Sequence, residues 1–473
     1  MKKSLLLVVS LAASVAFGQS WEKPFVPGVT YRMEIDNVTP RVTHILRINL
    51  DAPDIRVRAE VAGGRVFSPL EQKGRETLSS MLARTGAAAA LNADFFPWAG
   101  DPLGAMVNDS LLYSTPDPRR AVIGWGSGGV RVGKLRWNGA LESPELGSLP
   151  LNGVNEEAPE NGVVAFTDGA YQAVAKGPSR YLVCEPLAAT AFTPDLSAEF
   201  AVRSVVTDQE ALGVERGSLV IAARGTAAEK LKSLGVGSSL KLNWRTQGFD
   251  WKKISHVIGG GNMLVRGGKV AIDAKDAGFG ADFSEKRHPR SAVGITASGD
   301  LIWLATDGRQ KVSDGATLSE LAQLMLAQGC TDAINLDGGG STALALRGLV
   351  ANRPSDGKER PVANALLLFG PKVTPDPEAA TWRVLAPLDM KFEEAVNLSI
   401  VDKTGLMIPP REILWTASGA GWIDQSGTLR GLSGGVASVR AYVRGTVFSV
   451  EINVAGPPAP APQIPPAAKP PKQ

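Results

Sequence analysis

A chain of 473 residues is too long for one ordinary domain, so two or three are expected. With 44% hydrophobic and 21% charged residues it is globular with a real core, and 52 glycines and 32 prolines against five tyrosines imply many turns and many strands. The formal charge of +3, or 3 − 2 = +1 without Lys2 and Lys3, excludes a general field for nucleic acid or anionic membrane, so any anion must be held by a local site.

The start, "MKKSLLLVVSLAASVAFGQS", reads as a secretory signal over residues 1–18: basic Lys2 and Lys3, an apolar run from Leu5 to Phe17, then Ala16 and Gly18 before the cut. That run is shorter than the ~20 residues of a spanning helix and no later stretch qualifies, so no transmembrane segment is expected. A secreted, periplasmic or cell-envelope location follows. Residues 19–370 read as an α+β (mixed α/β) catalytic domain with many short strands. "HILRINLDAP" and "DIRVRAEVAGG" alternate, while "SLVIAARG" and "GDLIWLATDG" are short apolar runs ended by turn residues. Two helices stand out. "TLSSMLARTG" runs between Thr77 and Gly86, and "TLSELAQLMLAQG" opens with a Thr317/Glu320 capping box and closes at Gly329. Each leads into a small-apolar strand and then a carboxylate, "AAAALNADFF" and "DAINLDGGG", a pattern that chance could also produce. Both carboxylates fall just past a strand end, where ligands of α/β sheets bind. Cys184 and Cys330 are compatible with one disulfide or with two buried thiols.

"PKVTPDP" opens a linker, residues 371–380. Over residues 381–455 turn signals recur at short intervals between alternating strands, which predicts an all-β sandwich. Through "WTASGAGWIDQSGTLRG" and "VASVRAYVRGTVFSVEINV" this part resembles bacterial Ig-like domains of group 2, which implies a spacer or a contact to cell wall or polysaccharide. Residues 456–473 form a proline-rich tail, extended and disordered by composition.

Polar residues interrupt apolar strands at "LNADFF", "HVIGGGNMLVRGG", "RHPRSAVG", "ATDGRQ", "LDGGGST" and "KERPVANALLLF". The order "RHPRSAVGI", "GDLIWLATDGRQ", "GATLSELAQLML", "DAINLDGGGSTALAL", "NRPSDGKERPVANALLLFG" resembles the phosphodiester glycosidase family, and "ALNADFF" with "VIGGGNMLVRGG" extends the resemblance over Ala88 to Gly370. One departure is that Ala93 and Asp94 stand where members often carry two glycines. The resemblance implies an exported hydrolase that breaks the bond between a sugar C1 and a phosphodiester oxygen in an envelope or extracellular glycan. A non-catalytic protein binding phosphorylated glycans, or a phosphodiesterase cutting the P–O bond, are the alternatives.

The residues suit that chemistry. A phosphate monoester leaves readily, so a strong acid matters less and donors on the phosphate matter more. Arg290 and Arg309 offer planar forks, and Gly338, Gly339 and Gly340 could form a backbone nest for the same anion. Asp337 is the candidate nucleophile or base, with Asp307 as partner and Glu359 as a further carboxylate. His288, Ser341, Asn92 and Asp94 complete the candidate substrate-binding set. Each has a plainer reading: "LDGGGST" as a hairpin turn, Asp307 as an Asx turn, Arg290 in a structural ion pair, Glu359 and Arg360 as a solvated loop pair. Three histidines and two scattered cysteines give no zinc spacing, and no cofactor is expected, although "NADFFPWAGD" is acidic enough to take calcium.

Overall fold

The alternating segments become strands at Arg41–Asn49 and Arg56–Val61, and the short apolar runs become Leu219–Arg224 and Asp300–Thr306. The structure is a computed structural model that describes residues 18–70 and 72–457; the expected signal segment before Gly18 and the proline-rich tail from Pro458 lie outside the described residues. Contacts divide the chain into two units, 1–372 and 373–473.

The first unit corrects the α+β expectation, because it is built almost wholly of antiparallel strands. Among the described residues the two longest helices are Leu78–Thr85, with 8 residues, and Leu318–Ala327, with 10. Both form at their predicted caps, but caps mark where a helix starts and stops and say nothing about its share of the fold. The remaining apolar runs are short strands that pair as sheets, such as 9 residues at Arg41–Asn49, 4 at Ala89–Asn92 and 6 at Leu219–Arg224.

Two sheets position the site. One has eight strands, and its inner part runs Arg41–Asn49, Asp300–Thr306, Arg290–Thr296, Cys330–Asn335, Met263–Arg266, each antiparallel to the next. The other has five, with Ala89–Asn92 between Leu344–Leu346 and Asn364–Phe369. Leu318, Leu321, Ala322 and Met325 of the longer helix bury their face with Ala292, Leu304 and Ala333 of the first sheet. A further eight-stranded sheet around Leu182, Phe200 and Leu242 has its own core.

The second unit is all-β: a four-stranded sheet in the order Asp389–Met390, Thr446–Val454, Gly435–Val443, Leu414–Gly419, with a three-stranded and a two-stranded sheet. Its core gathers Trp415, Ile400, Leu429, Val439 and Ile452.

Candidate active site

The two capped helices each deliver a strand, and each strand delivers a carboxylate. Helix Leu78–Thr85 is capped by Thr77, which accepts from Ser80 N–H, and ends at Gly86 with φ 73°; strand Ala89–Asn92 follows, every residue buried. Helix Leu318–Ala327 carries the Thr317/Glu320 capping box and precedes strand Cys330–Asn335. Past the strand ends lie Asp94 and Asp337. Asp337 N–H donates to Ala93 O at 2.8 Å, and Asn92 Nδ2 donates to Asp337 O at 2.7 Å. Asn92 is fully buried and its Oδ1 accepts from Ser291 Oγ (2.6 Å) and Ala343 N–H (3.1 Å), so one amide fixes three segments around Asp337.

Asp94 is fully buried and accepts from Phe95 N–H and Gly104 N–H, both at 2.7 Å. Gly104 and Gly259 make room for it, since a Cβ on either would run into its Oδ2. Burial pushes its pKa up to about 7, against the pull of Arg120 and the two N–H groups, and the charge of Asp337 pushes the same way. Burial likewise raises Asp337 to about 6, opposed by Ser341, Gly338 N–H, Arg360 and Arg120. Gly338 N–H donates to Asp337 Oδ1 at 2.8 Å. Ser341 lies against the same carboxyl without closing a well-formed hydrogen bond: its buried Oγ has no partner of standard geometry.

The charge of Arg120 reaches both acids. Its side chain is 15% exposed, its guanidinium lies 5.0 and 5.4 Å from the Phe95 and Phe279 ring centres, and its Nε is 3.6 Å from Asp117. Nε and Nη1 have no hydrogen-bond partner. Buried guanidinium donors left unpartnered are costly, and such groups mark a place where a ligand or water completes the set. Asn335 Oδ1 and Nδ2, Asn262 Oδ1 and Thr342 Oγ1 are in the same condition. Asn335 N–H donates to Asn262 O at 3.0 Å, so these two residues are neighbours, and Asn335 stands two positions before Asp337.

The glycine loop has a different job from a bare anion nest. Gly338 N–H serves Asp337, and Gly339 N–H donates to Pro289 O at 2.9 Å. What the missing side chains allow is the approach of two cations. Gly339, at φ 61°, lies beside the Arg309 guanidinium, and a Cβ on Gly340 would collide with the Arg360 guanidinium and the Asp356 carboxylate. Arg360 is aimed by Asp356, which accepts from its Nε (2.9 Å) and Nη2 (2.6 Å). Arg309 is itself left-handed, at φ 60°, a strained setting for a long side chain. Its Nη2 donates to His288 Nδ1 at 3.2 Å, and His288 Nε2 lies 3.2 Å from Asp282 O. A carbonyl at Nε2 needs the proton there, which leaves Nδ1 as the acceptor. Burial lowers the His288 pKa, consistent with that neutral ring.

The other candidates are engaged by the scaffold, and of these Arg290 packs its Cα and Cδ against Gly338 while its guanidinium turns away from the loop. Arg290 is fully buried and donates to backbone carbonyls, Nε to Ala316 O (2.9 Å) and Nη2 to Phe283 O and Lys286 O, with its guanidinium over the Phe283 ring. It braces the segment ahead of its strand. Asp307 is buried behind the loop, one residue removed from it: Oδ1 accepts from Arg353 N–H (2.8 Å) and from Asn352 Nδ2 (3.3 Å), which also donates to Thr342 O (3.1 Å), and Oδ2 is 3.7 Å from His44 Nε2. Glu359 accepts from Ser79 N–H (3.0 Å) and Ser79 Oγ (2.6 Å), at the N-terminus of helix Leu78–Thr85. In the sequence Arg120 stands outside every candidate motif, and Arg360 reads equally as a site residue of "KERPVANALLLF" and as half of a solvated loop pair. The available signal for Arg120 was its place in "PDPRRAVIG", directly before a fully apolar strand start.

The phosphodiester glycosidase family profile matches residues 197–369. A 91-residue stretch is 42% identical to the SPbeta prophage-derived uncharacterized protein YomE of Bacillus subtilis (strain 168), over 19% of this chain and 14% of that one. A 109-residue stretch is 33% identical to human N-acetylglucosamine-1-phosphodiester alpha-N-acetylglucosaminidase, over 21% of each chain. The chain thus spans about a fifth or less of the length of these curated relatives. Among solved structures, a hypothetical protein from Synechocystis superposes with a TM-score of 0.61 at 24% identity, over 73% of this chain and 62% of that one. A Burkholderia pseudomallei K96243 protein does so at 0.57 and 19%, over 71% and 74%. These last two likenesses speak to the fold.

Proposed function

We propose that the first unit hydrolyses glycosyl-1-phosphodiesters, breaking the bond between the sugar C1 and the phosphodiester oxygen. The observation that carries this reading is the meeting of two buried, pKa-raised carboxyls, Asp94 and Asp337, with the unpartnered donors of Arg120 and the two guanidinium groups beside the glycine loop. Family-level similarity to phosphodiester glycosidases over residues 197–369 supports the same reaction class. Asp337, the more acidic of the pair, acts at C1 as base for water or as nucleophile; Asp94 holds a proton to higher pH. As the C1–O bond breaks, its electron pair leaves with the phosphate monoester, and Arg309, Arg360 and Arg120 take up the growing charge. Asn92 is a positioning residue for the Asp337 backbone. The proposal extends to export by the leader, an envelope or extracellular glycan as substrate, and an Ig-like spacer over residues 381–455.

The test is a panel of α-1-phosphodiesters of glucose, N-acetylglucosamine and mannose, each with a methyl or a 6-linked methyl glucoside aglycone, in oxygen-18 water. The expected result is label in the released sugar, with turnover reduced on the order of a thousandfold or more in folded Asp337→Asn. Label in the phosphate would replace the proposal with P–O cleavage. Binding without turnover would make the protein a receptor.

A further inference from the structure

Trp98 stands four residues after Asp94 and is 72% exposed, unusual for the largest apolar side chain. It is not loose: the Arg75 guanidinium lies 4.5 Å from its ring centre. Arg75 is 8% exposed, is fixed by Nε donating to Gln72 O at 2.9 Å, and feels the charge of Arg360. Glu76, beside Arg75, exchanges backbone hydrogen bonds with Val362 at 3.0 and 2.9 Å, two residues past Arg360, so Trp98 and its arginine stand on the segment that pairs with the strand start behind the glycine loop. Beside Trp98 opens a cleft of about 480 Å³, lined by Phe67, Lys73, Glu157, Gln172 and Lys176, within the size range of small-ligand sites. Its walls are held in register. Gly100, at φ 89°, lets the loop behind Trp98 close on Lys73 and Gly74, where a Cβ would stand 2.7 Å from each carbonyl oxygen. Lys176 Nζ and Glu157 Oε2 pair at 2.7 Å across the rim. Asp101, next in the same loop, is 6% exposed and leaves Oδ1 without a partner, within electrostatic reach of Glu157 and Lys176.

We infer that this cleft is an aglycone subsite: it takes a sugar unit on the far side of the phosphate, stacked on Trp98, with its hydroxyls held by Lys73, Gln172 and the Lys176–Glu157 pair. The inference rests on the proposed phosphodiester cleavage for its polarity. The backbone gives the order: Gly340, three residues past Asp337, abuts Arg360; Val362, two residues past Arg360, exchanges backbone hydrogen bonds with Glu76, the neighbour of Arg75; and Arg75 lies on Trp98, which is the order glycosyl carbon, phosphate, aglycone. An indole face bounded by hydrogen-bonding groups fits the C–H face and hydroxyl rim of a pyranose; a lipid aglycone would leave the rim charges unused.

The experiment compares Trp98→Ala, Trp98→Tyr and the unaltered full chain on the paired diesters of the panel. Trp98→Ala should raise KM about tenfold for the methyl glucoside aglycone, leave its kcat unchanged, and alter neither parameter for the methyl aglycone; Trp98→Tyr should restore most of the loss. Equal effects on both aglycones, or none, would overturn the subsite while leaving the hydrolase intact. If the unaltered chain turns over no diester, the reaction proposal fails, and the cleft is read by fluorescence titration with methyl glucoside 6-phosphate against methyl phosphate. Tighter binding of the former that vanishes in Trp98→Ala sustains the subsite; equal binding of the two overturns it.

Discussion

Asp94 and Asp337 carry the same side chain in two unequal settings, and the inequality sets a pH dependence. In the proposed reaction Asp337 acts ionised and Asp94 keeps its proton, so kcat/KM should rise as pH passes about 6 and fall through about 7. The apparent values belong to the coupled pair, and the optimum is narrow. Measured between about pH 5 and 9, the alkaline limb should vanish in Asp94→Asn, at a cost on the order of tenfold, below the usual general-acid contribution because phosphate leaves readily. An unchanged alkaline limb would remove Asp94 from that role. The same raised values act on stability in the other sense. Each carboxyl favours the folded chain while protonated, a contribution fully present below the ordinary value of 3.8 and lost as pH rises through about 6 for Asp337 and about 7 for Asp94. Each acid was legible separately, as a carboxylate just past a strand end. Their meeting was not, because it depends on which strands pair across two sheets. Arg120 was less legible still: its rings come from Phe95 and Phe279, far apart in sequence, and its lack of partners exists only once all three are in place.

At the scale of elements, the helix ends could be read directly, since a cap is a local device: Thr77, Gly86, Thr317 and Glu320 all do what their spacing implies. The fold class was misread for the complementary reason. Two well-capped helices are conspicuous, whereas short strands with many distant partners leave weak local traces. Glu359 joins the two scales, a carboxylate from one loop closing the N-terminus of helix Leu78–Thr85 through Ser79. Glu359→Ala should therefore lower stability by about 1 kcal/mol, the usual worth of a lost cap interaction, with kcat within twofold of the original. Denaturant titration beside steady-state kinetics decides it, and a collapse of kcat without loss of stability would return Glu359 to the chemistry.

At the scale of the molecule, every residue of the candidate site belongs to the unit before Val373, and the core around Trp415 lies entirely in the other. Calorimetry of the full chain should resolve two transitions. Trp415→Ala, by emptying a buried site, should weaken the second unit by about 3–5 kcal/mol and shift one transition only, leaving hydrolysis unaltered. A matching fall in turnover would show that the units work together. The two cysteines also bear on how the first unit comes apart. Both are free and buried, Cys184 beside Leu182 and Leu219, Cys330 beneath Leu321 and Met325 of the helix ahead of Asp337, and burial holds each thiol near a pKa of 12. Neither can react with an alkylating reagent until its own surroundings open. The chain thus has two native clocks, one in each subcore, and the order in which they are struck reports which half of the first unit breathes first.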